Sequence, residues 1–112
     1  MVKCSDGLNG VFAALSDPTR REILDQLARD TASVSDLATG RQMTLAAVLK
    51  HLSVLERAGL VRTEKSGRVR SCGLTARPLR EAAAWLNRYR PLWEARLDRL
   101  SDYLNKSKGE DR

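Results

Sequence analysis

The chain has 112 residues, with 20 Lys and Arg against 14 Asp and Glu, a formal net charge of +6. That length suits one small domain with a single core and leaves little room for a monomer that must also enclose a ligand, so a partner subunit is expected. No apolar run is long enough to span a bilayer and no signal-peptide core opens the chain; the two cysteines, Cys4 and Cys72, are far apart, which excludes a disulfide framework and predicts a reduced, cytoplasmic protein.

Helical periodicity starts early, where Leu8, Val11, Phe12 and Leu15 share one face of a first short helix preceded by a mobile arm that carries Cys4. Asp17 and Pro18 then reset the chain, one as a cap and the other at a first helical position where its missing N–H has no partner to lose. The second helix is predicted from Pro18 to about Arg29, burying Ile23, Leu24, Leu27 and Ala28. Arg20 and Arg21 oppose its dipole and call for a local acid or a phosphate. Ser33 as cap and Asp36 three residues on predict a short third helix, and residues 39–43 form the turn that follows.

The most informative stretch is Thr44 to Arg70. Thr44 caps a helix that runs to Ala58 and stops at Gly59. Leu45, Val48, Leu52 and Leu55 form its buried stripe, whereas Ala46, Lys50, Ser53 and Arg57, with Ala47 beside them, form a surface of small and basic side chains without an acid. His51, the single histidine, lies between the two faces and is open to a phosphate contact or to a packing role. Residues 60–65 read as a strand, Ser66-Gly67 as a turn and residues 68–74 as the return strand. Lys65, Arg68 and Arg70 gather at the tip, where long cations reach phosphates or a minor groove. The expected fold is therefore mainly α with a small β-hairpin: a winged helix-turn-helix whose helical scaffold spans 8–43, major-groove helix 44–58 and wing 60–74. Cys72 alternates with Leu74 and is expected to point inward.

The last segment, 76–104, repeats Leu79, Ala82, Leu86, Tyr89, Trp93, Leu97, Leu100 and Leu104 at steps of three or four, with Trp85, Leu92 and Tyr103 off that seam. A helix with apolar groups in more than one direction needs both its own core and a second subunit. Pro91 breaks the hydrogen-bond ladder, so a kink or a helix pair is expected, followed by a frayed polar tail over 105–112. Enzymatic chemistry has no support: the acids are scattered, no nucleophile sits in a recognisable turn, and no glycine-rich phosphate loop occurs.

Two stretches, residues 14–24 (Ala-Leu-Ser-Asp-Pro-Thr-Arg-Arg-Glu-Ile-Leu) and 50–61 (Lys-His-Leu-Ser-Val-Leu-Glu-Arg-Ala-Gly-Leu-Val), resemble the ArsR-type family of dimeric bacterial winged-helix repressors. The resemblance implies repression from an inverted-repeat operator and release by an inducer. It implies that Thr44 to Ser53 read DNA, that Lys65 to Arg70 form the wing tip, and that the two ends of the chain form the dimer interface: Leu8 and Phe12 at one end, and Leu86, Tyr89, Trp93, Leu97, Leu100 and Leu104 at the other. Two departures matter. Where arsenic-, cadmium- or lead-sensing members carry a Cys-x-Cys pair, this chain has Ser33-Val34-Ser35-Asp36-Leu37, and it lacks the Asp and His pairs of zinc sensors, so no metal or other cofactor is expected. Leu45, Ala46 and Leu49 stand where the family more often has Gln, Pro or Ser, which implies base readout that leans on apolar contact with thymine methyls and on wing arginines, with few bidentate hydrogen bonds. Two alternatives stay open: a thiol- or arsenical-responsive repressor that uses Cys4 or Cys72, and a winged-helix protein-interaction module without specific DNA binding.

Overall fold

The computed structural model describes the backbone of residues 2–110 and the side chains of residues 7–106. Within it the elements follow as α1 (Val2–Leu15), α2 (Pro18–Arg29), β1 (Ala32–Ser33), α3 (Val34–Thr39), α4 (Leu45–Arg57), β2 (Val61–Ser66), β3 (Val69–Leu74), α5 (Arg77–Asn87) and α6 (Arg90–Glu110). The fold is a winged helix-turn-helix, mainly α as expected. The chain forms two compact units, residues 1–82 and 83–112, where the sequence suggests one domain.

Local chemistry accounts for the helix boundaries in the first unit. The Asp17 carboxylate accepts the Arg20 N–H at 3.0 Å, and Pro18 occupies the first turn of α2. Arg20 has the Asp17 carboxylate in its neighbourhood, as expected of a local acid, but neither Arg20 nor Arg21 forms an ion pair among the described residues. Their guanidinium groups donate instead to the last carbonyls of α1, Arg20 to Ala14 O at 2.7 Å and Ala13 O at 3.1 Å, Arg21 to Leu15 O at 2.7 Å. Those carbonyls have no intrahelical partner, and the negative end of the α1 dipole favours cations there. Ser33 and Asp36 form a reciprocal capping box on α3, each side chain accepting the other residue's N–H. At the far end of α4, Gly59 takes φ 78, its N–H reaches Glu56 O, and Leu60 N–H reaches Leu55 O. This is a Schellman closure, in which a left-handed residue satisfies the final carbonyls and turns the chain into β2.

β1 is absent from the sequence prediction because two residues show no periodicity. It pairs antiparallel with β3 through Ala32↔Cys72 and Ser33↔Ser71, giving a three-stranded sheet in the order β1-β3-β2. The core is apolar throughout, with no polar or charged residue buried among those described. Ile23, Leu24 and Leu27 of α2 meet Leu37 of α3, Val48, Leu52 and Leu55 of α4, Leu60, Val61 and Cys72. Two residues differ from expectation. Ala28 is exposed and lines an open apolar groove of about 300 Å³ with Leu15, Leu24, Leu74 and Leu79. Leu45 is 52 % exposed, because the first turn of α4 projects beyond the seam that begins at Val48.

In the second unit the expected break precedes Pro91. Arg88 and Tyr89 N–H tighten onto Trp85 and Leu86 O, and Pro91 then falls at the second position of α6, where no N–H is required. The seam is therefore divided, with Leu79, Ala82 and Leu86 on α5 and Trp93, Leu97, Leu100 and Leu104 on α6. α6 continues to Glu110, through most of the stretch expected as a frayed tail. Trp85 and Tyr89 meet edge to face at 5.2 Å, whereas Leu86, Leu92, Trp93, Leu97, Leu100, Tyr103 and Leu104 are exposed. No helix among the described residues is long and apolar enough to cross a membrane.

Leu55 is fully buried on the seam of α4. Replacing it with Ala is expected to lower the unfolding free energy by about 2–5 kcal/mol, read by urea denaturation, through lost transfer energy and the cavity left behind. A loss below about 1 kcal/mol would mean that α4 is not anchored by this seam.

Candidate nucleic-acid interface

The exposed face of α4 begins at its cap. Thr44 Oγ1 accepts the Ala47 N–H at 3.1 Å, which starts the helix directly after the tight turn from α3. In that turn Gln42 adopts φ 55, a left-handed conformation that nothing in its residue type announces. Leu45, Ala46, Leu49, Lys50, Ser53 and Arg57 are all exposed, and Ala47 and His51 are half-buried at the flank. His51 has partners within the fold: its Nδ1 lies 3.9 Å from Asp17 Oδ2 and 3.5 Å from the Arg20 guanidinium. The histidine thus ties α4 to the start of α2. The Arg20 N–H holds the Asp17 carboxyl below its ordinary pKa against partial desolvation, and the charges of His51 and Arg20 add to the effect.

The wing is shaped by Gly67, whose φ of 62 at the first of two turn positions, Gly67 and Arg68, follows the type II′ pattern that suits the twist of a hairpin. Its register sets Val61↔Leu74, Thr63↔Cys72 and Lys65↔Arg70 on one face. That face is apolar and buried at the base and cationic at the tip. Lys65 and Arg70 stand directly opposite one another, with Arg68 at the turn beside them. Among the described residues none of Lys50, Arg57, Lys65, Arg68 and Arg70 forms an ion pair. Like charges directly opposite on a ladder are unfavourable in isolation, so the tip is electrostatically incomplete.

Between α4 and the wing lies a groove of about 280 Å³ lined by Leu49, Leu52, Ser53 and Glu56 on one side and Thr63 and Arg70 on the other. The structure therefore brings the predicted Leu45, Ala46, Lys50, Ser53 and Arg57 onto one helix face and gathers Lys65, Arg68 and Arg70 at the hairpin tip. Leu49 and the tip residue Val69, which fall inside the predicted reading stretch and wing tip but not among the side chains assigned to the small and basic face or the cationic tip, are exposed beside them. The i,i+4 spacing of Leu45 and Leu49 is the signal that finds the first, and Val69 has none beyond its position. Of the predicted dimer residues, Leu8 and Phe12 are half-buried against the core, and the six from Leu86 to Leu104 are exposed.

The two cysteines differ. Cys72 is fully buried, and its thiol pKa is pushed up by burial and then by Glu56, against an opposing pull from Arg70. Cys4 falls within α1 and not in an arm ahead of it, and its side chain lies outside the described residues. No group of three or more His, Cys, Asp or Glu able to hold a metal occurs among the described residues.

A helix-turn-helix domain family model matches residues 15–64, from the end of α1 into β2. The transcriptional repressor SdpR of Bacillus subtilis (strain 168) is 30% identical over 79 residues, which cover 70% of this chain and 88% of that protein. The crystal structure of an ArsR family transcriptional regulator shares 46% identity over 80% of this chain and 93% of its own, with a TM-score of 0.74. The chain belongs to the ArsR family. An ArsR-like transcriptional regulator from Rhodococcus sp. RHA1 extends the likeness over 95% of this chain and 97% of its own, at 37% identity and a TM-score of 0.73. This ArsR-family protein is accordingly a transcriptional regulator with a helix-turn-helix DNA-binding fold, and not an enzyme.

The raised pKa and full burial of Cys72 make it a poor nucleophile, since the thiolate is the reactive form. In a Cys4→Ser variant, Cys72 is expected to resist maleimide in the folded protein and to react fast only as urea unfolds it. Labelling at the rate of a free thiol under native conditions would show that the sheet opens around it.

Proposed function

We propose that this ArsR-family regulator is a homodimeric autorepressor of the cytoplasm that binds an inverted-repeat operator, with α4 in the major groove and the basic wing on the flanking backbone. The observation that carries this reading is the wing tip: Lys65, Arg68 and Arg70 are exposed, close together and without an acidic partner among the described residues. A polyanion relieves their mutual repulsion, and the register aims Arg70 along the same groove that α4 lines. Thr44, Leu45, Ala46, Ala47, Lys50 and Ser53 occupy the N-terminal part of α4, which meets base edges in helix-turn-helix docking, and Arg57 reaches phosphate further along. His51 serves chiefly as a brace that holds α4 to α2 through Asp17 and Arg20, leaving its other ring nitrogen for a backbone contact.

Dimerisation follows from the exposed apolar residues of α6. Trp93, Leu97, Leu100 and Leu104 recur on one side of a 21-residue helix and are exposed in the single chain. A helix-long apolar strip of this kind marks a subunit interface. Two α4 helices related by a two-fold axis then address two half-sites, which makes the operator an inverted repeat.

The test uses the DNA upstream of the regulator's own gene. Arg68→Ala with Arg70→Ala should weaken binding to that fragment strongly and reduce the salt slope by about two units per half-site, read from affinity across a salt series. Unchanged affinity and slope would remove the wing from the mechanism. Sedimentation should show a dimer at micromolar concentration, and Leu97→Glu with Leu100→Glu should convert it to monomer; a persistent dimer in that variant would place the interface elsewhere.

A further inference from the structure

We propose that the base-reading surface of α4 recognises the 5-methyl groups of thymine, through Leu45 and Leu49, so that operator choice rests on methyl packing and not on bidentate hydrogen bonds. The inference rests on the reading of α4 as the major-groove helix.

Leu45 is 52 % and Leu49 39 % exposed, although both belong to a helix whose other leucines, Leu52 and Leu55, are fully buried. Four residues apart, they lie one above the other on the same side of the N-terminal half of α4. Ala46 and Ala47 flank them with the smallest side chains available, so the helix backbone can approach a groove floor closely. The polar groups nearby are poor readers of bases. Thr44 Oγ1 is engaged by the Ala47 N–H, His51 Nδ1 faces Asp17 and Arg20, and Arg57 sits in the last turn with its Nε on Ser53 O. From Thr44 to Ser53 no Asn, Gln or Arg occurs, and Lys50 is the single side chain of that stretch of a type that pairs with a guanine edge.

In the major groove the thymine methyl is the one apolar group that the four bases present. Leucine packs against it. Opposite a guanine or cytosine edge the same leucine desolvates donors and acceptors and satisfies none of them, so the pair both favours thymine and penalises its alternatives. Lys50 beside the leucines and Arg70 across the groove from Leu49 supply charge that holds the helix in place. An acidic protein partner would find the basic tip, but it offers no reason for two leucines to be exposed on the first half of α4, one of them, Leu49, lining the groove between helix and wing.

The experiment begins by selecting sites from a random double-stranded pool with the wild-type protein, then remaking the selected duplex with deoxyuridine in place of every thymidine, which removes only the methyl. Thymines should be enriched in each half-site, and affinity should fall roughly fourfold for each contacted methyl removed. The Leu45→Ala, Leu49→Ala variant, whose changes are on exposed helical positions, should bind the thymidine duplex more weakly and should no longer distinguish it from the deoxyuridine duplex. The Arg68→Ala, Arg70→Ala variant should lose affinity yet keep the distinction. Equal affinity of wild type for both duplexes overturns the proposal and leaves DNA binding intact. An equal loss in wild type and in the leucine variant overturns it too, assigning the methyl effect to groove shape. A leucine variant with altered sedimentation and an undiminished methyl effect assigns the pair to a protein contact. Failure to select any site overturns the major-groove reading itself.

Discussion

One helix has to serve two environments, and the rest of the structure follows from that demand. Val48, Leu52 and Leu55 bury one side of α4 against α2, α3 and the sheet, while the other side remains open over its whole length. Burial of three such side chains amounts to several kcal/mol, a large share of what a domain of this size can spare. The exposed face is therefore free of any packing duty, and its residues answer to whatever the helix meets. The brace from His51 to Asp17 restrains the middle of the same helix and the Schellman closure at Gly59 its C-terminal end, so its orientation is set by groups off its open face.

The electrostatic design is local. The net charge of +6 says little by itself, since surface charges in salt act over only about 8–10 Å. What matters is that the sheet register sets Lys65 against Arg70 and that the turn adds Arg68 at the same spot, whereas Arg20 and Arg21 are consumed by the carbonyls of α1. Cations of equal formal charge thus divide into those that close a helix and those left for a partner. Pro91 divides the chain in a comparable way, turning a long apolar segment into two helices.

Much of this was legible in the sequence, and the failures have identifiable causes. Caps and breakers act through nearest neighbours, so Asp17-Pro18, the Ser33–Asp36 box, Thr44, Gly59 and Pro91 were readable directly. The hairpin was readable because alternation and a Gly turn coincide. β1 was not, as its two residues are a strand only by virtue of β3 lying alongside. Periodicity also assigned Leu45 to the buried stripe, since spacing reveals which side a residue is on but not where along a helix the core ends. The destination of Arg20 and Arg21 depends on the end of another helix, a tertiary fact with no local trace. Gln42 in a left-handed turn offers no signal at all, because glycine is the residue that ordinarily marks such a conformation.

The wing is held at one end only. Its base is clamped where Val61 and Cys72 enter the core and where β1 adds a second neighbour at Ser71 and Cys72, while the outermost residues, Lys65 and Ser66 on one strand and Val69 and Arg70 on the other, are exposed beyond β1. Strands of that length extend roughly 20 Å. The hairpin is therefore a cantilever with a free arm of about half that length, and a tilt of a few degrees at its root sweeps the tip through about half an ångström or more. Small volume changes around Cys72, far too deep to be touched by DNA, would re-aim the arginines at the free end, giving sequence drift in the core a direct mechanical route to operator affinity.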